Sequence, residues 1–166
     1  KDKYILSVSP ERFLRKKDNH ILSQPIKGTK KRGINKTEDK ILINELNISQ
    51  KDISENIMIA DLVRNDLSIN ATKESVNVDE LCKVYTFKKV HQMITSISCE
   101  IDSEISFTDV LKATFPMGSM TGAPKLRAME LIDYFEDFKR GFFSGSVGYI
   151  TPQADFDFNV VIRTIL

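Results

Sequence analysis

The sequence predicts an α+β fold, and three observations carry it. Segments rich in β-branched or alternating apolar residues stand near the start, in the middle and at the end of the chain, helical spacing with capping residues occupies the stretches between, and no regular strand-helix-strand alternation links them. Residues 4–8 alternate as a strand, with residues 20–26 as partner across a polar turn at residues 16–19. This hairpin ends in Pro25-Ile26-Lys27-Gly28-Thr29, where Gly28 permits an unusual backbone conformation, and Lys30-Lys31-Arg32-Gly33 is expected as an exposed loop. Thr37 is expected to cap a helix that carries Ile41, Leu42 and Leu46 to Asn47. Ser49, with Asp52 three positions on, caps a second helix that places Ile53, Ile57, Ala60 and Leu67 near one face. Residues 84–101 contain neither Gly nor Pro and are expected to be extended, with a break around His91. Ser106 and Asp109 form a capping-box pattern for a short helix to Thr114, residues 115–122 form a loop, and Pro124 opens the helix of Leu126, Met129, Ile132 and Phe135. Residues 142–150 and 156–166 are expected as two strands about a turn at residues 151–155.

Composition narrows the function classes. The 166 residues are 41% hydrophobic and 28% charged, the balance of one folded domain or a large piece of one. The longest apolar runs are only a few residues, far short of the roughly 20 that cross a bilayer, so no membrane span is expected. The first ten residues lack the apolar core of a secretory signal, and two cysteines, Cys82 and Cys99, are too few for a disulfide framework; both point to a reducing, cytoplasmic setting. The net charge of +1 hides an asymmetry: residues 1–40 hold 12 Lys/Arg against 5 Asp/Glu, and residues 41–166 hold 12 against 18. A basic section of this kind attracts polyanions, but without Trp or interleaved aromatics to stack bases no nucleic-acid partner is expected. Both ends read as cut, with an apolar strand running to Leu166 without a turn signal, so the chain is expected to be an internal segment of a longer protein.

Four places can carry chemistry. Asp52 and Glu55 project from one helix face, as a solvated surface or as ligands of a hard cation such as magnesium, which prefers oxygen donors. Gly118 to Lys125 is too short in glycine spacing for a nucleotide phosphate loop; it is either a capping loop or an anion site at a helix N-terminus. His20 and His91 have no Ser or Cys arranged around them as a hydrolytic triad. Lys27, at a strand end between Ile26 and Gly28, is either a surface cation or a partly desolvated amine able to act as nucleophile.

Taken in order, Ser9-Pro10-Glu11-Arg12-Phe13, Pro25-Ile26-Lys27-Gly28-Thr29, the run from Glu55 to Asp66, the FPMGSMTGAPKLRAME segment at residues 115–130, Gly145-Ser146-Val147-Gly148-Tyr149 and NVVIRT at residues 159–164 resemble the chorismate-binding enzymes. The resemblance runs through nearly the whole chain and implies their fold, large β-sheets covered by helices, present here in part. It also implies addition of a nucleophile to the chorismate ring with Mg2+ at the substrate carboxylate. Anthranilate-forming members usually carry Ala at the position of Lys27. Lys there resembles members that form aminodeoxychorismate on the way to p-aminobenzoate and folate, through a covalent adduct displaced by ammonia. The anthranilate reaction is the alternative, and a non-catalytic binding module of the family is the alternative of another class.

Carried over residue by residue, the resemblance makes Lys27 catalytic, Glu55 a magnesium carboxylate with Asp52 as an accompanying acid, and Gly28, Thr29 and Ser119 substrate-lining. Arg163 becomes the grip on a chorismate carboxylate. The family's active-site histidine falls on Gln92, with His91 one place earlier. The family's Gly-rich segment and further acidic ligands are expected beyond Leu166, and its feedback pocket draws on residues before Lys1. No glutamine-hydrolysing apparatus is recognisable, so the resemblance implies a glutamine amidotransferase as a partner subunit or fused domain.

Overall fold

The computed structural model describes residues 4–166; Lys1, Asp2 and Lys3, the start of the basic section, lie outside the described residues. The elements run β1 (Leu6–Ser7), β2 (Arg12–Lys17), β3 (His20–Gln24), β4 (Ile26–Lys31), α1 (Lys36–Asn47), α2 (Gln50–Ser68), β5 (Asn77–Thr86), β6 (Val90–Glu100), α3 (Phe107–Thr114), a 3-10 turn (Gly118–Met120), α4 (Lys125–Phe135), β7 (Ser146–Ile150), β8 (Phe156–Val160) and β9 (Thr164–Ile165). This is the expected α+β class. Seven strands form one antiparallel sheet in the order β4-β6-β3-β2-β8-β7, with β5 also paired to β6. β6 is its spine: β5 lies along one edge, while β3 and β4 share the other end to end, joined by Pro25, whose carbonyl accepts from Thr95 N at 3.2 Å.

Three expectations about the first third are corrected. The partner of β3 is β2, across Asp18-Asn19 with Asp18 at a positive φ of 55°, while the residue 4–8 segment is extended only at Leu6–Ser7 and pairs with β9. The polarity of Arg12 to Lys17 hid a strand in which Phe13 and Leu14 are buried and Arg12, Arg15 and Lys16 half-buried. Lys30 and Lys31 are not loop but the end of β4, paired to His91 and Val90, so these lysines decorate a strand. The first helix is capped by Asn35, whose side chain accepts from Thr37 N and Glu38 N, and not by Thr37.

Ser49 caps α2 as expected, and the Ser106–Asp109 capping box is formed in both directions. The break in the middle strand falls before His91, between Thr86 and Val90, and makes β5 and β6 a hairpin. The last apolar run also breaks: between β8 and β9 the chain turns at Arg163, which has a positive φ of 48°. Residues 141–144 are turn, so the seventh strand starts only at Ser146.

The core lies where α2 and α3 pack on the sheet. Ala60 and Leu67 of α2 and Val110 of α3 meet Leu14, Ile21, Ile97 and Phe156, and Phe107 stands 5.0 Å from the rings of both Phe156 and Phe158. The apolar spacing of α4 does not mark a core stripe: none of its residues is buried, and Leu126, Tyr134 and Phe135 are all more than 70% exposed. Among the described residues, no helix is long and apolar enough to cross a membrane.

Candidate active site

One cleft of about 290 Å3 collects most of the residues singled out above: Lys27, Gly28, Thr29, Gln92, Ser119 and Arg163 all line it. Four separate parts of the chain bring them there. β4 supplies Lys27, Gly28 and Thr29 at a register shift against β6, and Thr29 stands opposite Gln92. The 3-10 turn supplies Ser119, and the bend between β8 and β9 supplies Arg163.

Gly28 is required where it stands. Its φ is +88°, and a Cβ there would lie 2.9 Å from Leu46 Cδ1 and 3.0 Å from Asp52 Cβ. The absence of a side chain lets the end of α1 and the first turn of α2 close on β4 directly behind Lys27.

A residue that sequence reasoning did not assign completes the cleft. Glu11 precedes β2, is 6% exposed, and lines the same wall as Lys27 and Arg163. Burial raises its carboxyl above the ordinary value of 4.5, and the charges of Lys27 and Arg163 pull against that rise. Its backbone is held by Ser9 Oγ, which accepts from Glu11 N at 3.3 Å, and by Val160 N, which donates to Glu11 O at 3.1 Å. The signal for it was present: Glu11 is the one acid among residues 3–17, set directly before a strand in the basic section. Ser119 Oγ lies beside it and is buried.

Gln92 and His91 divide as neighbours on a strand must. Gln92 lines the cleft, whereas His91 is fully buried elsewhere, with Nε2 2.9 Å from Asp39 Oδ1 and Nδ1 2.9 Å from Thr86 Oγ1. The Arg32 guanidinium and Gly33 N–H hold Asp39 well below the usual carboxylate range. His91 thus ties α1 to the β5–β6 hairpin.

The two proposed metal carboxylates are not equivalent. Asp52 accepts from Ser49 Oγ at 2.5 Å and is engaged in capping α2. Among the described residues Glu55 has only a 4.0 Å contact to Lys51 Nζ, and its side chain is 44% exposed, so its oxygens are available to a hard cation. Neither lines the cleft, and among the described residues no three His, Cys, Asp or Glu converge as a metal site. The donor type fits magnesium; the ligand set is not complete within these residues.

Both cysteines are free, and burial pushes the Cys99 thiol up to about 11 and raises that of Cys82.

Residues 1–166 match the family described as chorismate binding enzyme. A probable chloroplastic aminodeoxychorismate synthase of Oryza sativa subsp. japonica is 49% identical over 98% of this chain and 18% of its own length. Aminodeoxychorismate synthase component 1 of Salmonella typhimurium is 43% identical over 99% of this chain and 36% of its own length. The crystal structure of anthranilate synthase component I from Streptococcus pneumoniae superposes with a TM-score of 0.85 at 34% identity, over 96% of this chain and 35% of that one. The chain therefore spans between about a fifth and about a third of the curated relatives it matches.

Proposed function

The chain belongs to the chorismate-binding enzymes, and from that premise we propose that its parent protein is an aminodeoxychorismate synthase, the 166 residues being an internal segment of its single catalytic domain. The reaction is amination of chorismate with ammonia, a step toward p-aminobenzoate and folate. The observation that carries this reading is the convergence of Lys27, Glu11 and Arg163 on one cleft with Thr29, Gln92 and Ser119 around them. Identities of 49% and 43% to aminodeoxychorismate synthases, against 34% to anthranilate synthase component I, favour this branch of the family.

In the cleft the parts divide as follows. Arg163, with its planar fork of donors, grips a substrate carboxylate. The Lys27 amine attacks the ring as the ring hydroxyl departs; Glu11, whose buried carboxyl binds its proton more tightly than an exposed one, gives that proton to the hydroxyl, which leaves as water. Glu11 recovers a proton from the new ammonium linkage. Ammonia then displaces Lys27, leaving its nitrogen on the ring and restoring the free amine, while the enolpyruvyl group stays in place. Gln92 and Ser119 supply neutral hydrogen-bonding groups to orient the ring, and Gly28 keeps the wall behind Lys27 close. Glu55 is the residue proposed to hold Mg2+, with Asp52 beside it on the helix; the cation, when bound, supplies charge against a substrate carboxylate.

The component 1 naming of a relative supports a partner for this protein, read here as a glutamine amidotransferase that delivers ammonia, as separate subunit or fused domain. Two free thiols also support a cytoplasmic, reducing setting. The test uses the intact protein with chorismate, ammonia and magnesium. Aminodeoxychorismate is expected; anthranilate with pyruvate would assign it to the other branch, and no consumption of chorismate would make it a binding module. Quenching without ammonia is expected to leave a chorismate-derived mass on the peptide carrying Lys27. Lys27→Arg keeps the charge but not the attacking amine, and is expected to lose amination strongly; full activity in that variant would mean that charge alone suffices.

A further inference from the structure

Lys125 ends the FPMGSMTGAPK segment, and its side chain turns back into the protein. Its Nζ donates to Asp66 Oδ2 at 2.5 Å and to Thr114 O at 3.0 Å, with the two side chains only 16% and 9% exposed. One ammonium thus joins the last residue of α3, the first residue of α4 and the last turns of α2, closing the base of the loop that carries Ser119. The same loop is held at a second point. Gly118 lies so close to α2 that a Cβ would stand 2.6 Å from Leu62 Cδ2, and Leu62 and Asp66, four residues apart, share one face of the helix.

The other end of α2 serves the opposite wall of the cleft. Asp52 packs behind Gly28, and Asn56, 1% exposed, donates to Met93 O at 3.3 Å, next to Gln92. A single helix of 19 residues, about 28 Å long, therefore touches the Lys27–Thr29 wall, the Gln92 wall and the Ser119 loop in turn. We propose that the Lys125–Asp66 pair is a positioning clamp: it fixes the Ser119 loop to α2, and so sets the distance of that loop from Lys27 and Gln92. The inference deepens the chorismate-cleft reading and rests on it for the meaning of the cleft, though the clamp itself is a statement about the loop.

A buried ion pair is a weak device for stability, because desolvation offsets most of the attraction; what it provides is direction. Two of the three donors of Lys125 are already used inside the protein, which leaves substrate binding to the cleft residues. Burial raises the Asp66 carboxyl, and the hydrogen bond and charge of Lys125 pull against that rise.

The test is made in the intact protein. Lys125→Met strands Asp66 and is expected to lower stability, so the deciding variant is Asp66→Leu/Lys125→Met, which removes both charges, keeps apolar volume and is expected to regain it. Hydrogen exchange at residues 115–122 is expected to rise about tenfold in the double variant while α2 and β6 keep their protection. KM for chorismate is expected to rise about tenfold with kcat within about twofold, because the loop positions substrate and does not take part in bond making. Unchanged loop exchange in the refolded double variant would overturn the clamp, as would a wild-type KM. The exchange measurement needs no turnover, so failure of the unmutated protein to consume chorismate would count against the functional reading alone.

Discussion

Gly28→Ala is a direct measure of how tightly the helices close behind Lys27. Two costs combine. A residue with a Cβ at φ +88° leaves the allowed region, at about 1–2 kcal/mol. The new methyl would also stand 2.9 Å from Leu46 Cδ1 and 3.0 Å from Asp52 Cβ. The leucine methyl can swing aside, but the Asp52 Cβ moves only with α2, and overpacking of this kind costs about 1–3 kcal/mol. The expected loss is therefore about 2–5 kcal/mol. Gly141 supplies the control, since its φ is +61° and a Cβ there meets nothing within 4 Å, so Gly141→Ala isolates the conformational cost of about 1–2 kcal/mol. Urea unfolding of the intact protein and its two variants compares them directly, and the difference between the variants is the packing cost. Amination should fall in Gly28→Ala and not in Gly141→Ala, because only the former displaces Lys27 and Thr29. Equal losses of stability, or an unimpaired rate in Gly28→Ala, would show that the closure behind β4 is slack and that Gly28 does not position the amine.

Three further outcomes follow from the same cleft. Glu11 holds its proton more tightly folded than unfolded, so the stability it contributes is full below its unfolded value of 4.5 and is lost as pH rises through the raised folded value; Glu11→Gln removes that loss, and should unfold at higher urea than the unmutated protein at pH 8 but not at pH 4, while amination falls at both. Glu55→Gln should raise the magnesium concentration needed for half-maximal amination by about tenfold with little change in unfolding, since its ionic partner among the described residues is an exposed lysine; magnesium titration of the rate reads this. Arg163→Lys keeps a charge but not the two-pronged donor set, and should raise KM for chorismate by about tenfold in steady-state kinetics.

The parts of the fold legible in the sequence are those whose causes are local. Ser49 with Asp52, and Ser106 with Asp109, announce helix starts because the cap bonds lie within three residues, and both formed. Lys27, Gly28, Thr29, Ser119 and Arg163 came from family motifs, and the cleft collects them. What was not legible depends on distant pairing. Arg12 to Lys17 is too polar to look like a strand until β3 and β8 flank it, and residues 4–8 look extended but find only a two-residue partner in β9. α4 has the spacing of a packed helix, yet none of its residues is fully buried among the described residues. Glu11 escaped notice because a glutamate before a strand is ordinarily solvated; burial against Lys27 and Arg163 is a property of three elements together.

The pairing of β2 with β8 sets a timetable for the chain. β2 meets β3 almost at once, across two residues, but its other edge waits for residues 156–159, and the Arg12–Asp157 bonds of 3.0 and 3.1 Å span 145 positions. Contacts this remote close late, since each must overcome the entropy of the long intervening loop. During synthesis at roughly 5–20 residues per second, Lys27 is therefore exposed for some seconds before Glu11 is buried and Arg163 exists opposite it. Until then the amine has neither proton donor nor carboxylate grip, so its reactivity arrives with the last strands and not with the motif that carries it.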